Sequence, residues 1–185
     1  ASPMKFPRLT AALFAIAAVF ATPALFAARV HAEQLVAANI KPLAPGVFVA
    51  GSVVPADIAA FKARGGALVI DLLPDDEASP QARAAEIAAA AQQASVRFVH
   101  APTPSNPLSM AVVEQVGAAL AVGDRPALIF CRSGSRATRV WALTEAARAG
   151  GMDAAGISSA AASAGYSVAD VRSEIERRIA ARPAK

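Results

Sequence analysis

Six consecutive residues, Cys131, Arg132, Ser133, Gly134, Ser135 and Arg136, have the types and spacing to do chemistry. Cys131 is the single cysteine of the chain and ends the apolar run "PALIFC". A structural cysteine sits among apolar neighbours, whereas arginines, serines and a glycine follow this one at once. A helix start and nearby cations favour a thiolate over a thiol. Gly134 lets the backbone curl so that successive N–H groups converge on an anion. The stretch reads as a nucleophile inside an anion cradle. Cys131 and Arg136 are its candidate catalytic residues, and Arg132, Ser133, Gly134 and Ser135 its candidate substrate-binding residues. The substrate is expected to be an oxyanion or to carry one. The competing reading is a strand-end cysteine before an ordinary arginine-rich helix. The strand, the central glycine, the closing arginine and the following helix occurring together favour the functional one.

Such a loop needs a strand behind it and a helix ahead. The run at 126–131 has strand length and is apolar throughout, as in a sheet covered on both faces, and "RATRVWALTEAARAG" continues as a helix. Upstream, "GVFVAG" at 46–51 predicts a short strand. "PADIAAFKARGG" predicts a helix with Pro55 in its first turn and Gly65-Gly66 at its end. "ALVIDLL" at 67–73 predicts a buried strand. Ser79-Pro80 opens a predicted alanine-rich helix to about Ala94. "VRFVHA" predicts a strand, "PTPSNP" a loop, and a helix runs from Ser109 to Gly123 with Val113, Val116 and Leu120 on one face. Two helices finish the chain, one over 153–164 with Gly165 as its cap. The other starts at Ser167, with Asp170 three residues on as in a capping box. This alternation predicts an α/β sandwich with a mainly parallel central sheet, the cysteine loop standing between the last core strand and the helix after it. That is where such folds hold ligands.

"CRSGSR" with "WAL" following resembles the bacterial β-lactamase hydrolase-like, phosphatase-like family, whose members usually read Cys-Arg-Ser-Gly-Thr-Arg. "GVFVAGSVVPADIAAFKARG" is similar to that family's opening strand and helix, and "AAASAGYSVADVRSEIERR" to its closing helices. The resemblance spans residues 40–179. It implies the three-layer fold of cysteine-dependent dual-specificity phosphatases, in members described variously as phosphatase-like or as sulfur transferases. Two departures stand out: Leu73 occupies a position where relatives commonly carry arginine. Ala137 stands where a hydroxyl often supports the thiolate, and Thr138 is not an evident replacement.

The spacing bears on the activity. Tyrosine phosphatases use Cys-x5-Arg, which would require an arginine at Ala137. Arg136 gives Cys-x4-Arg, the spacing typical of rhodanese sulfurtransferases. Phosphatases also need an acid to protonate the leaving oxygen, and the corresponding loop, "APTPSNPLS", carries no carboxylate. Asp75, Asp76 or Glu77 could substitute, but sequence alone does not bring them to Cys131. The expectation is therefore a rhodanese-like sulfurtransferase that forms a persulfide on Cys131 from an anionic donor such as thiosulfate and passes the sulfur to a thiol acceptor. The alternatives are a cysteine-dependent phosphatase acting on a phosphate ester, and a non-catalytic anion-binding module. Trp141 reads as core, His100 as a packed histidine, and Arg139 as part of a solvated helix face.

Length and composition narrow the setting. The 185 residues suit one domain. Ahead of it, Met4, Lys5 and Arg8 precede the apolar "LTAALFAIAAVFATPALFAA" and the small-x-small Val30-His31-Ala32. That order describes a signal peptide cleaved after Ala32, with Ala1-Ser2-Pro3 as a remnant before it. The expected organisation is thus a leader over 1–32 and a single domain over 33–185, exported to the periplasm or secreted. An uncleaved N-terminal anchor is the alternative, and the only expected membrane contact. Removing the leader leaves 15 basic against 14 acidic residues, so nothing supports nucleic-acid binding. One cysteine excludes an internal disulfide. The two histidines, His31 and His100, give no metal cluster, and no cofactor is implied.

Overall fold

The computed structural model describes residues 39–78 and 83–183. The leader with its cleavage site, and the Ser79-Pro80 helix start, lie outside the described residues. Glycines and prolines mark most element boundaries within them. Five strands form one sheet: β1 (Ile40–Ala44), β2 (Val47–Gly51), β3 (Leu68–Asp71), β4 (Arg97–His100) and β5 (Ala127–Cys131). Their order is β1-β2-β5-β3-β4. β1 runs antiparallel to β2, and the other neighbours are parallel. β5 lies between two strands and every residue of it is buried, which is why its sequence is continuously apolar.

Helices cover both faces. α1 (Pro55–Ala63) and α2 (Ala84–Gln93) bring Ile58, Phe61, Ile87 and Ala91 against Val69, Leu128 and Phe130. On the other face lie α3 (Met110–Ala121), α4 (Ser135–Ala147), α5 (Ala154–Ser163) and α6 (Arg172–Ala180). They pack Val113, Val116, Val140, Ile157 and Ile175 against Ile70, Ile129 and Cys131. The two-residue alternation of a strand therefore decides where the thiol goes. Leu128 and Phe130 point to the α1–α2 layer, and Cys131 emerges on the face that α4 covers. The chain is an α/β sandwich with a mostly parallel sheet, as its alternating pattern predicts.

Most elements fall where the sequence puts them. Ser109 caps α3 by accepting from the Val112 amide, and Asp153 caps α5 by accepting from Gly156. Trp141 is core, 1 % exposed. Four features differ. β1 is not among the strands that the sequence predicts; it is an edge, where the missing N–H of Pro42 is tolerated. The final helix does not begin at Ser167, whose hydroxyl instead accepts from the Ala169 amide at the start of a 3-10 turn, Ala169–Val171, ahead of α6. His100 is exposed rather than packed, on edge strand β4, with its ring stacked on Phe98.

The fourth difference is Arg139. It is not on a solvated face, because α4 is the central helix and is buried on all sides from Arg136 to Ala146. A buried charge needs partners, and Arg139 has them in Asp170 at 2.9 Å and the Ser105 carbonyl at 2.9 Å.

Candidate active site

Cys131 is 1 % exposed, and its Sγ accepts a hydrogen bond from the Gly134 amide at 3.2 Å. Gly134 is the N-cap of α4 with φ of 88°, a left-handed conformation that glycine adopts without strain. The thiol thus faces the amino end of the central helix. Unpaired amides and the helix dipole make that end attractive to an anion. Ser135 is the first residue of α4, while Arg132 and Ser133 are exposed at the loop's crest.

The loop carbonyls are all bound from outside. The Cys131 carbonyl accepts from the Ser52 amide (3.2 Å) and the Arg132 carbonyl from the Ser52 hydroxyl (3.1 Å). The Ser133 carbonyl accepts from Tyr166 Oη (3.1 Å). The Gly134 carbonyl accepts from both the amide and the hydroxyl of Thr138, each at 2.9 Å. A trans peptide sets its N–H opposite its C=O, so carbonyls held outward leave amides turned inward, as an anion nest requires. The end of β2 closes the other side. A Cβ on Gly51 would lie 2.6 Å from the Ser133 carbonyl carbon.

Tyr166 stands against this loop from the turn between α5 and α6. Its ring lies under the Lys41 ammonium, 4.9 Å from the centroid. Burial, and then the negative charge of the Cys131 thiolate, push its phenol above the ordinary range.

Arg136 is 3 % exposed. Nη1 donates to the carbonyls of Leu72 (3.2 Å) and Thr103 (2.8 Å), and Nη2 pairs with Glu77 at 2.5 Å. Both terminal nitrogens therefore tie α4 to the loops that follow β3 and β4. Of the fork expected to clasp substrate oxygens, Nε alone has no protein partner, and it is buried.

Through Glu77 the turn Asp75–Glu77 reaches the arginine of the cysteine loop, a placement that sequence could not supply. The three acids of this turn differ. Glu77 is held by Arg136, and Asp75 accepts from the Ala84 amide at 3.0 Å. Asp76 is exposed, with neither hydrogen bond nor ion pair among the described residues. Nearby Asp71, at the end of β3, is 1 % exposed. Burial is the main cause that pushes its carboxyl up to about 6, against the Leu73 amide that bonds it.

The structure therefore gathers Cys131 and the four following residues into one loop and turns the Arg136 fork to its flank. Sequence reasoning missed Gly51, Ser52, Tyr166, Lys41 and Asp71. The Gly51-Ser52 pair at a strand end carried a weak signal, and Tyr166 carried none. Among the described residues no cluster of histidine, cysteine and acids could hold a metal. No helix there is long and apolar enough to cross a membrane.

The family model for the phosphatase-like domain of the β-lactamase hydrolase-like protein matches residues 39–149. Among solved structures, a protein from Neisseria meningitidis assigned as a phosphatase is similar at 26% identity. The match covers 75% of this chain and 97% of that one, with a TM-score of 0.65. A protein from Shewanella putrefaciens, assigned likewise, matches at 16% identity, covering 80% and 97%, with a TM-score of 0.62. Kinase-associated phosphatase, solved with its catalytic-site cysteine replaced by serine, matches at 15% identity, covering 78% and 96%, with a TM-score of 0.59. No curated protein matches the sequence.

Proposed function

The chain belongs to the β-lactamase hydrolase-like, phosphatase-like domain family, and on that footing we propose that it is a cysteine-dependent phosphatase acting on phosphomonoesters. This reverses the preference that loop spacing alone suggests. The observation that carries it is the Arg136–Glu77 ion pair, which ties the acidic Asp75–Glu77 turn to the arginine that closes the cysteine motif. The missing acid is the chief objection to phosphate chemistry, and this contact supports the Asp75–Glu77 turn as its source. Similarity to the phosphatase-assigned protein of Neisseria meningitidis supports the same direction.

In the proposed reaction the inward amides of residues 132–136 hold the phosphoryl oxygens and Arg132 adds positive charge at the mouth. The Cys131 thiolate attacks phosphorus, the Sγ–P bond forms, and the ester P–O bond breaks. The departing oxygen takes its proton from Asp76, the one carboxyl of the turn not committed to another group. Asp76 then takes a proton from a water whose oxygen attacks phosphorus, and the Sγ–P bond breaks with its electron pair left on sulfur, releasing phosphate and restoring the thiolate. Export through the leader, leaving a single domain from Glu33, completes the proposal.

A second reading keeps one specific support, the six-residue spacing from Cys131 to Arg136. Sulfur transfer would need no acid: the thiolate takes the outer sulfur of thiosulfate, and sulfite leaves with the electron pair of the broken S–S bond. One experiment decides. Purified protein is given aryl phosphates of graded leaving-group pKa and, separately, thiosulfate with cyanide. The phosphatase reading expects turnover abolished in Cys131→Ser and, in Asp76→Asn, a loss that grows as the leaving group worsens. A persulfide adduct of about 32 Da on Cys131, without ester turnover, would establish the sulfur reading instead. Neither activity would leave an anion-binding module.

A further inference from the structure

We infer that Tyr166 is a positioning residue for the cysteine loop, acting on the thiol through the peptide that joins Ser133 to Gly134. The two polar groups of this one peptide unit are both engaged. Its carbonyl accepts from Tyr166 Oη at 3.1 Å, and its N–H donates to Cys131 Sγ at 3.2 Å. Because the unit is planar and trans, fixing the oxygen on one side aims the hydrogen to the other. A hydroxyl donating to the carbonyl also polarises the amide, so the N–H becomes a stronger donor to a thiolate or a bound oxyanion. The chain runs phenol, peptide, sulfur.

Three further observations fit this role. The neighbouring peptide is held alike, with the Ser52 hydroxyl on the Arg132 carbonyl, but Ser52 sits on the end of β2 whereas Tyr166 comes from a turn. The phenol therefore couples the α5–α6 turn to the nucleophile. Lys41, on β1, lies over the Tyr166 ring and restrains it by a cation–π contact. Gly134 leaves no room for a side chain between loop and ring, so the phenol seats directly on the backbone.

The inference rests on the anion-cradle reading above, and its test separates the two. The rate at which iodoacetamide alkylates Cys131 is measured across a titration of inorganic phosphate. Wild-type protein should be protected. Tyr166→Phe, which removes one oxygen and keeps the ring, should need about fivefold more phosphate for half-protection, the equivalent of one hydrogen bond of about 1 kcal/mol. Lys41→Met, which leaves the hydroxyl and loosens the ring, should shift it in the same direction by less. The Gly134 amide proton resonance should move upfield in Tyr166→Phe, a change that a purely structural role for the ring would not produce. Wild-type protection with the same midpoint and the same Gly134 shift in Tyr166→Phe overturns the inference and leaves the cradle standing. Absence of protection in the wild type overturns the cradle and the inference with it.

Discussion

A side chain at Gly134 and the ring of Tyr166 cannot share the cysteine loop: a Cβ built on Gly134 falls 2.1 Å from Tyr166 Oη. The clash adds to the conformational cost of φ 88° for a residue with a Cβ, about 1 kcal/mol.

The two costs can be separated. Gly134→Ala should lose about 2–4 kcal/mol of stability and most of its phosphate protection. Tyr166→Ala in the same background should recover the clash but not the backbone strain. A double-mutant cycle by urea unfolding should therefore show favourable coupling of about 1 kcal/mol or more. Simple additivity would mean that the ring swings clear and does not seat on the loop.

Glu77 and Asp76 are neighbours with different tasks. Glu77→Gln deprives the buried Arg136 guanidinium of its counter-charge, and should destabilise the fold by about 2 kcal/mol, moderated because Glu77 is itself partly solvated. Its effect on turnover should be the same for good and poor leaving groups. If the loss instead steepens with leaving-group pKa, Glu77 and not Asp76 is the proton donor.

Asp71 gives the fold a pH dependence. Its carboxyl, buried at the end of β3, is pushed up to about 6 in the folded protein against an ordinary 3.8. Folded protein therefore binds more protons than unfolded protein between those values. Stability should fall as pH rises from about 4 to about 6, by on the order of 3 kcal/mol from this group, and stay lower above. Asp71→Asn keeps an acceptor for the Leu73 amide and should remove that fall, gaining stability at pH 7 and little at pH 4. Parallel stability curves for the two proteins would rule out this origin.

Export predicts a defined product. Expressed with its leader in a Gram-negative host, the protein should be recovered outside the cytoplasm with Glu33 at its amino terminus. A chain still beginning at Met4 in the soluble cytoplasmic fraction would contradict the proposal.

Much of the architecture was legible because it is written in local periodicity. Apolar runs of strand length at 67–73 and 126–131, alternating with capped helices, require a covered parallel sheet whatever the remaining details. A lone cysteine between such a run and a helix, followed by Gly134, likewise marked the loop, since φ of 88° and a helix start are local properties. β1 escaped because strand pairing at an edge is decided by a partner, not by the five residues themselves. The same limit governs the site. Whether Arg136 clasps substrate or ties α4 to two loops depends on Leu72, Thr103 and Glu77, which lie 64, 33 and 59 residues away. Ser52 and Tyr166 reach the loop carbonyls from 80 and 33 residues away, and nothing in "GSV" or "GYS" announces it. The sequence alone determined that this protein sets its thiol at the amino end of a helix, because backbone conformation and helix polarity follow from neighbours in the chain. Which acid pairs with Arg136, and which groups hold the carbonyls of the cysteine loop, only tertiary structure decided, because hydrogen bonds between distant segments exist only once the sheet has brought its strand ends together.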